Sequence, residues 1–307
     1  MNETKPDLSV SIAGLRFANP VIAASGTFGY GREYEGLLDI GSLGGICTKG
    51  LTLEARGGNR GCRLHETPSG LMNSIGLENP GVATFIEKEL PNLRSLGPLV
   101  IANLSGSTIE SYAEGAALLD ASNIDMIELN ISCPNVKAGG MAFGLCPSDA
   151  ASVVAAVRAA SRKPLMVKLS PNAPDLISVA HACVDAGADC LSLVNTFKAL
   201  AIDIKTRKPV FDNLTAGLSG PAIKPIALRM VWELCEAVSV PVVGMGGIAN
   251  TEDALEFLMA GAAAIQVGTA TFARPSAMTD IIHGIDEYMR AHKIATLREL
   301  NINTKAQ

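Results

Sequence analysis

Eight short apolar runs recur along this sequence, and each of them ends at a polar residue or a glycine. The eight runs are PVIAASG (20–26), GGICTKG (44–50), LVIANLS (99–105), MIELNIS (126–132), LMVKLS (165–170), CLSLVNT (190–196), VPVVGMGG (240–247) and AAIQVGT (263–269). Runs of this length are typical of strands that are buried on both faces of a parallel sheet. Eight strands separated by helical patterns predict an α/β fold, a closed (β/α)8 TIM barrel.

The segments between the runs carry helix boundary signals. Ser107 to Glu110 is predicted to form a capping box for the helix STIESYAEGAALL, and Asn250 is predicted to cap TEDALEFLMA before Gly261 ends it. The segments 185–196 and 259–270 repeat one pattern: a helix end, an Ala-Gly-Ala turn, a strand and a polar exit. The repeat predicts that Asn195, after the sixth strand, and Thr269, after the eighth strand, occupy equivalent positions.

Segments outside the repeated units predict the covering of the barrel. Residues 8–20 alternate like a two-stranded hairpin, which we expect to cap the bottom of the barrel. The connections 51–79 and 197–222 are too long for simple turns, and we expect them to lie over the C-terminal face and to carry function. No linker rich in serine or proline divides the chain, so residues 1–307 are expected to form a single domain.

Composition excludes several classes of protein. The formal net charge of −5 provides no cationic surface, so a nucleic-acid partner is not expected. The seven cysteines include no C-x-x-C pair, which argues against a disulfide framework and against a sequence-local metal or iron–sulfur site. The N-terminus lacks the pattern of a signal peptide, and polar residues interrupt the longest uncharged run, 257–273. We therefore expect a cytoplasmic protein with no membrane segment and no bound metal.

Active sites of such barrels lie at the C-terminal ends of the strands, so the residues there are the candidates for function. They are Ser25, Lys49, Asn103, Asn130, Ser132, Cys133, Lys168, Asn195, Thr196, Gly246, Gly247, Gly268 and Thr269. A lone lysine or asparagine at such a position is more often a solvated rim residue. Two lysines together with several amides indicate a site for a polar ligand.

The glycines after the seventh and eighth strands indicate a phosphate site. VGMGGI (243–248) and VGT (267–269) leave the backbone amides accessible, as in the usual phosphate site of these barrels, although glycine can also simply relieve crowding. GMGG has neither the spacing nor the acidic partner of a dinucleotide fingerprint. Flavin mononucleotide (FMN) fits this pattern, with its phosphate at these glycines and its ring across the mouth of the barrel.

Cys133 stands where the fourth strand ends, in IELNISCPN (127–135). Pro134 cannot donate to a sheet and disfavours a helical conformation of Cys133, which places the thiol at the lip of the strand. Free cysteine is also among the most buried residue types, so a small buried apolar side chain is an equally good interpretation of this segment alone.

Six motifs in one order resemble the dihydroorotate dehydrogenase family over essentially the whole chain. They are NSIGLENPG (73–81), NISCPNVKAGGMAFG (130–144), VKLSPN (167–172), LVNT (193–196), GLSGPAIKP (217–225) and GMGGI (244–248). The residues that follow CPNV are similar to those of the class 1B catalytic subunit, which passes electrons to NAD through a second protein. It differs from the fumarate-dependent class 1A. The serine base and the N-terminal membrane segment of class 2 do not occur in this sequence.

The resemblance implies a role for each group at the strand ends. Cys133 would be the general base that removes a proton from C5 of dihydroorotate while hydride leaves C6 for the flavin. Lys168 would lie near N1 and the C2 carbonyl of the flavin, where reduction develops negative charge. Lys49 would contact both the flavin and the substrate carboxylate. These three residues are the predicted catalytic residues.

The resemblance also implies two binding sets. The predicted cofactor-binding residues are Ser25, Lys49, Gly50, Asn103, Asn130, Lys168, Val194, Gly220, Gly246, Gly247, Gly268 and Thr269. The predicted substrate-binding residues are Lys49, Asn73, Ser74, Ile75, Gly76, Leu77, Asn130, Asn195 and Thr196. FMN is the expected cofactor of this chain.

The resemblance to class 1B further implies a partner subunit that carries FAD and a [2Fe–2S] centre, in a heterotetramer of two catalytic and two electron-transfer subunits. Three alternatives stay open besides class 1A: a tRNA dihydrouridine synthase, an aldolase that uses Lys49 or Lys168 as a Schiff base, and a flavin-binding protein without catalysis. The negative net charge and the absence of a basic RNA-binding domain argue against the tRNA dihydrouridine synthase.

Overall fold

The computed structural model describes residues 5–132 and 143–302, and the elements within these ranges are numbered in chain order. The strands are β1 (Val10–Ile12), β2 (Leu15–Phe17), β3 (Val21–Ala23), β4 (Gly45–Cys47), β5 (Leu64–Thr67), β6 (Gly70–Asn73), β7 (Leu99–Leu104), β8 (Met126–Asn130), β9 (Leu165–Lys168), β10 (Cys190–Leu193), β11 (Phe197–Leu200), β12 (Ile202–Asp203), β13 (Lys208–Pro209), β14 (Thr215–Ser219), β15 (Val242–Met245) and β16 (Ala264–Val267).

Helices alternate with the strands. They are α1 (Val82–Thr84), a π-helical turn (Phe85–Glu89), α2 (Leu90–Ser95), α3 (Ile109–Asp120), α4 (Pro147–Ala160), α5 (Leu176–Asp185), α6 (Lys224–Ala237), α7 (Thr251–Met259), α8 (Ala270–Ala273) and α9 (Ala277–His292). Among the described residues, no helix combines the length and the apolar character needed to cross a bilayer.

Eight parallel strands close into a barrel in the order β3-β4-β7-β8-β9-β10-β15-β16, and β16 pairs with β3 to complete the ring. Each strand lies within one of the eight apolar runs of the sequence, so the predicted (β/α)8 barrel is confirmed. The repeated pattern is confirmed as well, because Asn195 and Thr269 each lie two residues beyond the end of their strands, β10 and β16.

Side chains spaced two residues apart along each strand enter the barrel in layers. The bottom layer is apolar and consists of Ile22, Cys47, Ile101, Met126, Met166, Cys190, Val243 and Ala264. One step up, the inward side chains of five strands are polar: Asn103, Glu128, Lys168, Ser192 and Gln266. The alternate residues Ile127 and Leu129 pack outward in the larger core beneath the helices. The barrel is therefore apolar at its base and polar towards its mouth.

The hairpin of β1 and β2 seals the base. Its strands pair antiparallel with Ile12 opposite Leu15, and Ala13 and Gly14 form the two-residue turn with φ of 49° and 80°, as such a turn requires. Ile12 and Phe17 are each 1 % exposed and pack against the bottom layer. The predicted cap on the bottom of the barrel is confirmed.

Helix starts agree with the sequence at one site and differ at another. The side chain of Asn250 accepts a hydrogen bond from the backbone N–H of Asp253 at 2.9 Å, as predicted. The capping box of α3 is formed by Thr108 and Ser111 rather than by Ser107 and Glu110. The prediction was wrong by one residue because the Ser111 hydroxyl accepts from the Thr108 N–H, at 3.1 Å, in place of a carboxylate.

The two long connections meet above the barrel. Residues 51–79 provide β5 and β6 and residues 197–222 provide β11 and β14, which together form an antiparallel sheet in the order β11-β14-β6-β5, called here the upper sheet. Gly217 pairs with Asn73 across its centre. Both segments therefore lie over the C-terminal face of the barrel, as predicted.

The sealed base leads to a prediction about stability. Phe17→Ala should lower the free energy of unfolding by about 3–5 kcal/mol, since it leaves a cavity against the bottom layer. Arg16→Ala, on the exposed side of the same strand, is the matched control and should change it by less than about 0.5 kcal/mol. Denaturant unfolding measures both, and equal losses would mean that the hairpin does not close the core.

Candidate active site

The described residues enclose a cavity of about 270 Å³ at the C-terminal ends of the barrel strands, called here the central cavity. Its floor is formed by the polar layer of the barrel, and its walls by the strand exits and by the upper sheet with the loop that follows β6. A cavity of this kind suits an organic ligand rather than a single ion.

Nearly all the predicted binding residues in the described ranges line the central cavity. They are Ser25, Lys49, Gly50, Asn73, Ile75, Gly76, Leu77, Asn103, Asn130, Lys168, Val194, Asn195, Thr196, Gly220, Gly246, Gly247, Gly268 and Thr269. Ser74 does not line it, because the strand alternation that turns Asn73 inward turns Ser74 away, and the Ser74 hydroxyl accepts from Asn59 and Asn213 instead. Cys133 lies outside the described residues.

Glu128 organises the floor of the cavity. Its side chain is fully buried, and Oε1 accepts from the Ser192 hydroxyl at 3.0 Å and from Gln266 Nε2 at 2.7 Å. Oε2 accepts from the Cys47 thiol at 3.1 Å and from Asn103 Nδ2 at 2.5 Å. Burial by itself would raise the pKa of Glu128, but the nearby Lys168 ammonium and these donors hold it below its usual value. The carboxylate is therefore ionised at neutral pH.

A chain of oriented amides leads from Glu128 to the mouth. Because Asn103 donates to the carboxylate, its Oδ1 is left to accept from Asn130 Nδ2, at 3.3 Å. Asn130 Oδ1 then accepts from the N–H and the hydroxyl of Ser132, and Asn195 Nδ2 donates to that hydroxyl at 2.7 Å. The charge at the floor thus orients amides on three strand exits.

The two lysines of the cavity differ in environment. The Lys168 side chain is 5 % exposed, and its Nζ donates to Ser25 Oγ at 3.1 Å, so it is not a solvated rim residue. The Lys49 side chain is 29 % exposed, and its Nζ lies 3.5 Å from Glu78 Oε2. Lys168 belongs to the floor, whereas Lys49 belongs to the wall near solvent.

Glu78 also contacts Arg63, which lies behind the wall. The Arg63 guanidinium that donates to Glu78, together with the Lys49 ammonium, lowers the pKa of the Glu78 carboxyl. An anionic ligand that binds Lys49 would compete with this carboxylate for the same ammonium. Residues 51–79 were expected to carry function, but the Arg63–Glu78 pair was not predicted.

Glycines form the wall on the side of β15 and β16. A Cβ on Gly246 would lie 2.7 Å from Val194 Cγ2, and one on Gly247 would lie 2.8 Å from both Cβ and N of Lys224. The φ angles of 122° and 79° are also unfavourable for any other residue. This part of the wall is therefore bare backbone, which can approach a phosphate closely.

Gln266 provides a test of whether a flavin fits the floor. Its Nε2 donates to Glu128, and its Oε1 is a buried atom without a hydrogen-bond partner among the described residues. A buried acceptor of this kind is costly unless a ligand donates to it. A flavin ring carries one ring N–H, so the orphaned acceptor, the floor lysine and the glycine wall together fit FMN.

Sequence reasoning missed three groups of this site. Glu128 lies within the run MIELNIS and Gln266 within the run AAIQVGT, and the sequence pattern singled out neither of them as a candidate. Glu78 was read only as part of a motif. The signal that was available for Glu128 is its place two residues before Asn130, on the inward face of the same strand.

Comparisons with known proteins agree with the geometry. The sequence profile of the dihydroorotate dehydrogenase family matches residues 7–289. A protein of Petrotoga mobilis named dihydroorotate dehydrogenase B (NAD(+)), catalytic subunit, is 58 % identical over 294 residues, which cover 96 % of this chain and 98 % of that protein. Proteins of the same name from Geotalea uraniireducens and Thermoanaerobacter pseudethanolicus are 53 % and 51 % identical, and each match covers 96 % of this chain and 97 % of the relative.

The glycine wall leads to a prediction about binding. Gly247→Ala should abolish measurable binding of FMN, the candidate ligand, and lower the free energy of unfolding, because its Cβ would collide with Lys224 and Gly220 and displace this part of the wall. Gly97→Ala is the matched control: it has a φ of 103° but open space around its Cβ, so it should cost only the backbone strain of about 1–3 kcal/mol and keep FMN bound. Flavin fluorescence titration and denaturant unfolding measure the two effects. If Gly247→Ala bound FMN with wild-type affinity, the glycine wall would not be part of the binding site.

Proposed function

Because the chain belongs to the dihydroorotate dehydrogenase family, we propose that it oxidises (S)-dihydroorotate to orotate in pyrimidine nucleotide biosynthesis. The observation that carries this proposal is the family match over residues 7–289, combined with a cavity whose floor and wall each hold a lysine. The reaction removes a proton from C5 and a hydride from C6 of the substrate.

FMN is the proposed cofactor, and it would accept the hydride when bound. Gly246, Gly247, Gly268 and Thr269 would hold its phosphate, and Lys168 would stabilise negative charge on the pyrimidine side of its ring. Ser25, Gly50, Asn103, Asn130, Lys49, Val194 and Gly220 complete the proposed cofactor-binding set. This assignment is supported by the orphaned acceptor of Gln266 and by the absence of Cβ atoms on the glycine wall.

The substrate is an anion, and its carboxylate requires a cation near solvent. Lys49 meets this requirement, and binding would draw its ammonium away from Glu78. Asn73, Asn130, Asn195 and Thr196 would hydrogen-bond the polar edges of the substrate, and the loop from Ile75 to Leu77 would complete the wall. The orientation imposed on Asn130 and Asn195 by the amide chain would present fixed donors and acceptors to the substrate.

Cys133 is the proposed general base for the C5 proton. The chain enters this position from Ser132, whose hydroxyl is held between Asn130 and Asn195 beside the cavity. None of the four histidines follows a barrel strand, so no histidine is a candidate for the same role. An unperturbed thiol has a pKa of ~8.5, so the base would act through its minor thiolate form at neutral pH.

The role of Cys133 can be tested by rapid mixing. Cys133→Ala should keep FMN bound but slow its reduction by dihydroorotate by ~100-fold or more, and Cys133→Ser should act only at higher pH. Cys146→Ala, which removes an exposed thiol before α4, is the control and should react at the wild-type rate. Reduction of Cys133→Ala at the wild-type rate would refute the assignment.

The electron acceptor defines the partner. The relatives are named as NAD-linked catalytic subunits, and we propose by analogy that this chain passes electrons to NAD through a partner that carries FAD and a [2Fe–2S] centre. Two catalytic and two electron-transfer subunits would form the complex, in the cytoplasm. The sequence of this chain contains neither a cysteine pair with cluster spacing nor a dinucleotide fingerprint, which supports a second subunit.

The partner proposal predicts a division of activity. The isolated chain should reduce artificial dyes with dihydroorotate but show little activity with NAD, and addition of the FAD and iron–sulfur subunit should restore NAD reduction. Absorbance assays with and without that subunit measure this. Robust turnover of fumarate by the chain alone would assign it to the fumarate-dependent class instead, and robust NAD reduction by the chain alone would overturn the two-subunit proposal.

A further inference from the structure

Glu128 and Lys168 form an ion pair that is shielded from solvent at the floor of the central cavity. Their Oε2 and Nζ atoms lie 3.7 Å apart, and the two side chains are 0 % and 5 % exposed. In every other ion pair of the described residues both side chains are at least 11 % exposed. The floor pair is thus the most deeply buried ion pair among the described residues.

The charge of Glu128 depends on Lys168. A buried carboxylate without a nearby cation takes up a proton. Lys168 is the one cation within 4 Å of Glu128 among the described residues. The four neutral donors to Glu128 are fixed on strands β4, β7, β10 and β16, so they stabilise its charge but supply no counter-charge.

We propose that Glu128 is a positioning residue that sets the charge beneath the bound flavin. Its carboxylate neutralises the Lys168 ammonium, so the flavin ring would lie next to an ion pair without net charge rather than next to an uncompensated positive charge. The inference rests on the proposed binding of FMN and assigns to Glu128 a role that acts through Lys168.

The reduction potential of the bound flavin depends on the net charge of Glu128 and Lys168. Two-electron reduction places a negative charge on the ring at neutral pH, so a more positive floor stabilises the reduced state and raises the potential. Loss of the Lys168 ammonium lowers the reduction potential. A role that is only structural would change stability or cofactor affinity and leave the potential of the bound flavin in place.

The decisive experiment measures the midpoint potential of FMN bound to four proteins at pH 7, by equilibration with reference dyes. Glu128→Gln should raise the potential above the wild-type value, because Lys168 loses its counter-ion and the negative charge of the reduced ring takes its place. Lys168→Met should lower it. The double variant should match Lys168→Met, since a buried Glu128 without Lys168 is already protonated and its replacement removes no charge. A potential of Glu128→Gln that is unchanged or lowered would overturn the proposal.

Ser192→Ala is the matched control. It removes one neutral donor to the same carboxylate, at 3.0 Å, without changing the charge, so its shift in potential should be much smaller than that of Glu128→Gln. Equal shifts would mean that repacking of the floor, not charge, moves the potential. If Glu128→Gln alone does not fold, the double variant, in which neither charge of the pair remains, is compared with Lys168→Met. Equal potentials would support the dependence of the Glu128 charge on Lys168, and a difference would overturn it.

The outcomes separate this inference from the proposed function. Failure of the wild-type protein to bind FMN would refute the proposed function. In that case the pair is tested in the cofactor-free protein, where the double variant should lose less unfolding free energy than the sum of the two single variants. Wild-type binding of FMN together with unmoved potentials in the variants would refute only the role of Glu128.

Discussion

A single carboxylate in the middle of the barrel determines how the polar cavity is organised. An ionised carboxylate can only accept hydrogen bonds, so each group around Glu128 must present a donor to it. The thiol of Cys47 meets this demand because burial and the adjacent negative charge raise its pKa and keep it protonated. The amide of Asn103 meets it by turning its nitrogen inward. The orientation of these groups therefore follows from the charge, and the amides nearer the mouth follow from Asn103.

The same strands serve stability at one end and chemistry at the other. Successive inward residues of β8 are Met126, Glu128 and Asn130, which belong to the apolar base, the charged floor and the mouth respectively. The hairpin that closes the base keeps water from the apolar layer, which in turn shields the ion pair from below. Because low polarity strengthens every electrostatic interaction, the sealed base contributes to the environment of the cavity without touching a ligand.

The sequence predicted the strands well because each barrel strand is a short apolar run with a distinct end. The strand-end positions that it singled out converge on one cavity, as positions after strand ends do in any barrel of this kind, and Asn195 and Thr269 are examples. Interactions between distant segments were not predictable. Neither the pairing of β6 with β14 nor the contact of Lys49 with Glu78 follows from local patterns, because each depends on how two loops cross in space. The cis peptide between Leu193 and Val194 also lacks a local signal, as no proline is involved.

The upper sheet has a consequence for the order in which the molecule folds. Asn73 and Gly217 are 144 residues apart in the chain, and four of the eight barrel strands, β7 to β10, lie between them. Contacts between segments this distant form late, because the entropy of closing the intervening loop is recovered only after that loop has become compact. The pairing of β6 with β14 is thus expected to form after the intervening strands β7 to β10 have become compact. A nascent chain would acquire its ligand site as one of its last features, and a molecule that opens partially would lose that site before its barrel.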